Sequence, residues 1–156
     1  MTIKFLDILQ EHDFRKAINY QVRKYQTGEL ILEEGIPSKE VLVILSGTVG
    51  AYSSIDHLGL PGHWTELASF SVGDVIGELT LFDQAARAAS VAASSDCEIA
   101  VISSQALTQF MDENPGLGYR ILKDIIAQTT QRLRKANNRN VEIIAHYMDS
   151  HPARSI

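Results

Sequence analysis

Apolar residues recur along this chain with three different spacings. From 3 to 19 they are three or four positions apart, which predicts one or two short amphipathic helices. From 21 to 103 short β-rich runs alternate with turn clusters; the runs cover 23–25, 29–32, 41–45, 48–52, 64–70, 88–93 and 97–102. The intervening turns contain Gly28, Gly35, Gly47 and Gly73. Short strands at this spacing predict a mainly β domain, with a double-stranded β-helix (jelly roll) as the expected form.

The last third of the chain is predicted to be helical. Ser104 can cap a short helix that runs to about Asp112. Asn114 and Pro115 then offer an N-cap followed by proline at the first helical position. Neither glycine nor proline occurs in 119–151, so we expect one long C-terminal helix.

The long helix carries a stripe of residues spaced by threes and fours. Its members are Leu122, Ile125, Thr129, Leu133, Ala136, Asn140, Ile143 and Tyr147. This spacing is typical of a coiled-coil seam and predicts a homodimer. The alternative is a helix that lies back on its own β-domain, and different parts of one helix can do both. We divide the chain into a jelly-roll domain with N-terminal helices (1–114) and a lid or dimerisation helix with a tail (115–156).

Composition and charge narrow the class of partner. The formal net charge is −5, with Asp+Glu 19 against Lys+Arg 14, which argues against DNA or RNA as the main partner. Cys97 is the one cysteine, so no internal disulfide can form and a reducing compartment is expected. The N-terminal segment does not resemble a signal peptide, and the longest apolar run, 41–45, is too short to cross a membrane. We therefore expect a cytoplasmic protein without membrane contact.

The stretch from 76 to 91 carries the candidate chemistry. Gly77 opens a single helical turn within the β-rich region, and N–H groups at a helix start can hold an anion. Arg87 supplies a planar guanidinium suited to phosphate, and the small residues 88–90 let the backbone approach a ligand. Glu78 is an acceptor-only carboxylate that pairs well with a sugar hydroxyl. Together these groups suit a ribose phosphate.

This stretch closely resembles the phosphate-binding cassette of the cyclic-nucleotide-binding domain family. That family includes the bacterial catabolite activator proteins and the regulatory subunits of protein kinase A. Its pattern of Gly-Glu-Leu, short apolar helix, variable loop and Arg-Ala-Ala-Ser/Thr-Val is matched by Gly77-Glu78-Leu79 and Arg87-Ala88-Ala89-Ser90-Val91. Turn blocks at 25–29, 33–35, 43–47 and 70–74 also resemble the family. One departure is Ala86, where many members have proline before the arginine.

The resemblance implies a role for each cassette residue. Glu78 would bind the ribose 2′-hydroxyl and Arg87 the cyclic phosphate. The main chains around the phosphate and ribose would be those of Gly77, Leu79, Ala88 and Ala89, with a further hydrogen bond from Ser90. The alternative is a mutual ion pair between Glu78 and Arg87 in a domain that has lost binding and serves as an interaction module. Because both charged residues are present, we favour binding.

The choice of base depends on two further positions. In the family, a hydroxyl residue directly after the arginine often accompanies guanine, so Ala88 favours cAMP while leaving cGMP open. In the activator proteins the long helix contacts adenine near the position of Asn137 and Asn138, whose amides could pair with a base edge. Two exposed asparagines on a polar helix face are the equally good alternative.

We expect no catalytic activity and no cofactor. The remote alternative is a cupin-like metal enzyme, which usually holds its metal with a closely spaced pair of histidines, and no His-X-His occurs here. The family's activator proteins continue into a helix-turn-helix domain, whereas this sequence ends at Ile156. We therefore expect a signalling module that binds no DNA and acts on a separate, unidentified effector.

Overall fold

The computed structural model describes residues 4–54, 64–83 and 89–150. Within these ranges there are four α-helices: α1 (Phe5–Leu9), α2 (His12–Ala17), α3 (Ser104–Glu113) and α4 (Pro115–Ser150). Eight strands are described: β1 (Gln21–Tyr25), β2 (Leu30–Leu32), β3 (Glu40–Ser46), β4 (Val49–Ser54), β5 (Trp64–Phe70), β6 (Val75–Ile76), β7 (Ser90–Ala93) and β8 (Cys97–Ser103). A short 3₁₀ helix, called here the cassette helix, spans Glu78–Leu81.

The strands form two antiparallel sheets of four. The first has the order β1-β8-β3-β6 and the second the order β2-β7-β4-β5. The predicted mainly β class with flanking helices and a long C-terminal helix is confirmed, whereas full jelly-roll closure stays a prediction. Two edge strands are joined directly: β5 ends one sheet, β6 ends the other, and a tight turn at 71–74 connects them.

The central strands of the first sheet, β3 and β8, are buried on both faces. Alternate residues of β3 and β8 contact different cores, so that Val41 and Val43 pack against the helices while Leu42 and Ile44 face the second sheet. This double burial explains why 41–45 is a continuous apolar run rather than an alternating one, as expected for a strand covered on both sides.

The N-terminal helices are anchored in the helical core. Phe5 and Phe14 are both fully buried, and Phe14 lies edge-on to Phe110 of α3 with ring centroids 4.9 Å apart. The buried carboxylate of Asp124 on α4 accepts a hydrogen bond of 2.8 Å from the main-chain N–H of Phe5. The prediction of one or two short helices is therefore confirmed, with two present, and α1 is hydrogen-bonded directly to α4.

The helix boundaries near 104 and 114 need one correction. The cap of α3 is Ser103, not Ser104, because the Ser103 hydroxyl accepts from the Ala106 N–H at 3.3 Å. Pro115 is the first residue of α4, as predicted. The amide of Asn114 donates to the Phe110 carbonyl at 3.0 Å, so its side chain closes the end of α3.

Helix α4 is buried only in its first part. Its 36 residues extend about 54 Å. Its buried residues are Gly118, Ile121, Asp124 and Ile125, and every residue from Leu133 to Ser150 is exposed. In the described part of the chain no helix combines the length and apolar character needed to span a membrane.

Candidate functional site

The cassette helix begins at a glycine that a side chain would strain. Gly77 has φ +78°, a left-handed conformation that other residues rarely adopt. Its carbonyl accepts from the N–H of Thr80 at 3.2 Å and from the Thr80 hydroxyl at 2.8 Å. The N–H groups at the start of such a helix have no partner within it. This geometry matches the helical turn predicted at Gly77.

Glu78 is a buried carboxylate with partners on α4. The residue is 8% exposed, and its Oε1 accepts from Nη1 of Arg132 at 3.0 Å. The Thr129 hydroxyl lies 3.3 Å from the same oxygen. All the hydrogen bonds that described residues make with the Glu78 carboxylate therefore fall on Oε1. Burial of a carboxylate costs free energy unless the group is paired and hydrogen-bonded, and these bonds offset that cost.

Arg132 joins the cassette helix to the edge of a sheet. Besides Glu78, its guanidinium donates to the Val75 carbonyl of edge strand β6 at 2.6 Å. It also lies over the ring of Phe70 on β5, 4.7 Å from the ring centroid. One side chain thus contacts both edge strands and the cassette helix, which places α4 beside the edges formed by β5 and β6.

Gln128, one turn earlier on α4, completes the cover of β6. Its amide oxygen accepts from the Val75 N–H at 2.9 Å, and its amide nitrogen donates to the Gly73 carbonyl at 3.1 Å. The same nitrogen lies 3.3 Å from Asp124. Edge strands carry backbone groups that no neighbouring strand pairs with. Here the side chains of Gln128 and Arg132 form hydrogen bonds with those of Val75.

The second half of the cassette is described only in part. Ser90 begins β7, is 4% exposed, and its hydroxyl oxygen accepts from the main-chain N–H of Glu34 at 2.9 Å. The Ser90 hydroxyl proton can still be donated. Ala89 is half-buried against the core between the sheets. Arg87 and Ala88 lie outside the described residues.

Two of the predicted site residues have exposed side chains. The side chain of Leu79 is 62% exposed, and the role that the resemblance implies for this residue is that of its main chain. Asn137 is exposed and lies five residues beyond Arg132, about 140° around the helix. It is therefore turned away from the cassette of its own chain.

The predicted seam of α4 is wrong in its first part. Ile125 is 2% exposed in the helical core, and Thr129 contacts Glu78, so neither is available to a partner. The exposed face instead has a regular four-three spacing. Its members are Ile126, Thr130, Leu133, Asn137, Asn140, Ile144 and Tyr147. We call this set the α4 stripe.

Comparison with known families then decides the class of the domain. The family model described as "Cyclic nucleotide-binding domain" matches residues 22–114. This chain belongs to that family. The predicted membership of the cyclic-nucleotide-binding domain family is confirmed, and the cassette helix with Glu78 lies within the matched region.

Three relatives illustrate the similarity. A cAMP-dependent protein kinase regulatory subunit of Hypocrea atroviridis is 30% identical over 97 residues, which are 62% of this chain and 19% of that protein. The cAMP-activated global transcriptional regulator CRP of Escherichia coli O6:H1 is 30% identical over 113 residues, 72% of this chain and 50% of that protein. The chain thus spans half or less of the length of these curated relatives. A crystal structure of a cyclic nucleotide-binding domain from Methylobacillus flagellatus KT superposes with a TM-score of 0.69 at 29% identity, covering 79% of this chain and 67% of that chain.

Sequence reasoning missed the α4 residues that contact Glu78 and the neighbouring edge strand β6. Thr129 and Arg132 lie three positions apart, and Gln128 and Arg132 lie four apart, so the three side chains form one polar patch on the helix. That polar patch was the pattern that could have revealed them. No group of three His, Cys, Asp or Glu side chains within 4–54, 64–83 and 89–150 is arranged to hold a metal ion.

Proposed function

We propose that this cyclic nucleotide-binding domain is a sensor of a 3′,5′-cyclic nucleotide, with cAMP as the preferred ligand. The observation that carries the proposal is the state of Glu78. Its carboxylate is buried and held through Oε1 by Arg132, while no described residue forms a hydrogen bond or ion pair with Oε2. Oε2 therefore remains as an acceptor for a sugar hydroxyl, the role that the family resemblance implies for this residue.

The remaining cassette roles follow from the same resemblance. Arg87 would pair with the cyclic phosphate, and the main chains of Gly77, Leu79 and Ala89 would surround it. Ser90 supports this assignment, because its hydroxyl keeps a proton to donate after accepting from the Glu34 N–H. Ala88 provides no side-chain hydrogen bond to guanine, which favours cAMP over cGMP.

We further propose that the protein works as a cytoplasmic homodimer without catalytic activity. The α4 stripe is exposed over residues 126–147, and its four-three spacing fits a second helix with the same repeat. In such a pair Asn137 faces the partner subunit, so a contact with a base would be made across the dimer. The output would be a movement of α4 detected by a separate effector protein, consistent with the regulatory names of both curated relatives.

Isothermal titration with cAMP and cGMP tests the proposal. The wild-type protein should bind one cAMP per subunit, and Arg87→Ala should weaken binding at least about tenfold, because a lost partner of a desolvated charge costs about 2–5 kcal/mol. Arg120→Ala is the matched control, since Arg120 is exposed on α4. Affinity unchanged by Arg87→Ala would contradict the cassette assignment. Absence of binding in the wild type would favour the alternative, an interaction module that has lost its ligand.

The same titration tests the preference for adenine over guanine. Ala88→Thr adds a hydroxyl that can bond guanine, so the preference for cAMP should narrow by about 1 kcal/mol. A wild-type protein that already prefers cGMP would show that Ala88 does not set the base.

A further inference from the structure

A bulge in edge strand β5 exposes one carbonyl toward α4. Across β4 and β5, Ala51 pairs with Ala68 and Tyr52 pairs with Glu66, so Leu67 has no opposite residue. A bulge of this kind interrupts the ladder and re-aims the backbone of the bulged strand. The Leu67 carbonyl accepts a hydrogen bond of 2.8 Å from Nη1 of Arg139.

Arg139 and Arg132 contact the two edge strands from one face of α4. They are seven residues apart, which places them about 20° apart around the helix and about 10 Å apart along it. Arg132 holds the Val75 carbonyl and Glu78, whereas Arg139 holds the Leu67 carbonyl. Every residue of α4 from Leu133 to Ser150 is exposed, so this contact lies within the exposed part of the helix.

We propose that Arg139 is a positioning residue, which clasps α4 to the bulge at Leu67 and so sets how closely the helix covers the nucleotide site. The contacts of Asp124, Gln128 and Arg132 fix the first part of the helix, and from Leu133 onward every residue is exposed. Arg139 is a second anchor, about two turns beyond Arg132, and fixes the direction of the helix along β5. The effect of this contact on ligand binding rests on the proposed function. The contact itself does not, because it is present without a ligand.

Three substitutions separate positioning from charge. Arg139→Ala removes the clasp, and Arg139→Lys keeps the charge with fewer donors at similar reach. Arg134→Ala is a control that removes the same charge elsewhere. Arg134 is exposed and lies about 200° around the helix from Arg132. Leu67→Ala is a second control, because the acceptor is the main-chain carbonyl and survives that change.

Hydrogen–deuterium exchange of the ligand-free protein tests whether the Arg139 contact stabilises this part of α4. In Arg139→Ala, amides at 133–143 should exchange about fivefold faster, the factor expected for one net hydrogen bond. Arg139→Lys should restore part of the protection, and both controls should match the wild type. Equal exchange in Arg139→Ala and wild type would overturn the proposal whatever the ligand results are.

The dissociation rate of cAMP labelled with a fluorophore on C8 tests whether the Arg139 contact affects the nucleotide site. Arg139→Ala should release this probe about fivefold faster with a nearly unchanged association rate, because a loosened helix uncovers the site without altering its contacts. A change confined to the association rate and suppressed by salt would show that Arg139 acts by attracting the anion instead. If the wild type binds neither cAMP nor cGMP, the proposed function fails while the exchange experiment still decides the clasp.

Discussion

Replacing Arg132 by alanine perturbs the contacts that join α4 to the cassette helix. The substitution removes the ion pair with Glu78 at 3.0 Å and the hydrogen bond to the Val75 carbonyl at 2.6 Å. It also removes the guanidinium from above the Phe70 ring. Glu78 keeps only the Thr129 hydroxyl among its described partners.

The size of the effect follows from how far water can replace these contacts. Removing one partner of a fully buried ion pair costs about 3–5 kcal/mol. Here the side chain of Glu78 is 11% exposed and that of Arg132 26% exposed, so the stranded carboxylate regains some hydration. The Val75 carbonyl is on an edge strand and can also bind water. We therefore expect Arg132→Ala to lower the free energy of unfolding by about 2–3 kcal/mol.

Urea unfolding of a double-mutant cycle measures the ion pair itself. The cycle combines Arg132→Ala with Glu78→Gln, and because the two side chains touch, their coupling should be at least about 1 kcal/mol. Arg134→Ala, an exposed arginine two residues away, should change stability by less than about 0.5 kcal/mol. If the two substitutions are additive, or if Arg132→Ala is as mild as the control, then the ion pair does not hold α4 to the cassette.

Two further predictions concern other parts of the molecule. Leu133 is 61% exposed on the α4 stripe, so Leu133→Asp should convert a dimer into a monomer, as measured by light scattering. Lys135→Asp, on the opposite side of the helix, should leave the dimer intact. A wild-type monomer, or a dimer that tolerates Leu133→Asp, would exclude the stripe as the interface. The pKa of Asp96 is lowered because its carboxylate accepts from the main-chain N–H and the hydroxyl of Thr27. A lowered pKa in the folded state contributes stability above the ordinary carboxyl pKa, and that contribution is lost as the pH falls through the lowered value. Wild type should therefore exceed Asp96→Asn in urea midpoint at neutral pH, with the gap closing in acid; a gap that does not depend on pH would contradict this.

Most of the secondary structure could be predicted from local patterns. The apolar run at 41–45 corresponds to β3, and 64–70 corresponds to β5 without any shift. Strand β6 was missed because two residues cannot show a periodicity. The cap at Ser103 was assigned one residue too late, since two adjacent serines are equivalent until the first turn of the helix is in place.

The cassette is a local motif, and so the sequence alone determined its presence. Gly77, Glu78 and the residues after Arg87 are close in the chain, and their chemistry was visible in their order. The glycines of the predicted turns behave in the same way, because a positive φ is a property of one residue; Gly28, Gly35, Gly47 and Gly73 have φ between +81° and +89°.

Only the tertiary structure decided which residues of α4 meet the domain. Arg132 is 54 residues from Glu78 in the chain, and no local pattern connects them. The heptad spacing admits several stripes on one helix, and contact with Glu78 assigns Thr129 to the domain and leaves Ile126 and Leu133 outside. The rotation of a helix about its axis is set by whichever face finds the larger complementary surface. For α4 that surface is assembled from α1, α3, β6 and the cassette helix only when the chain has folded.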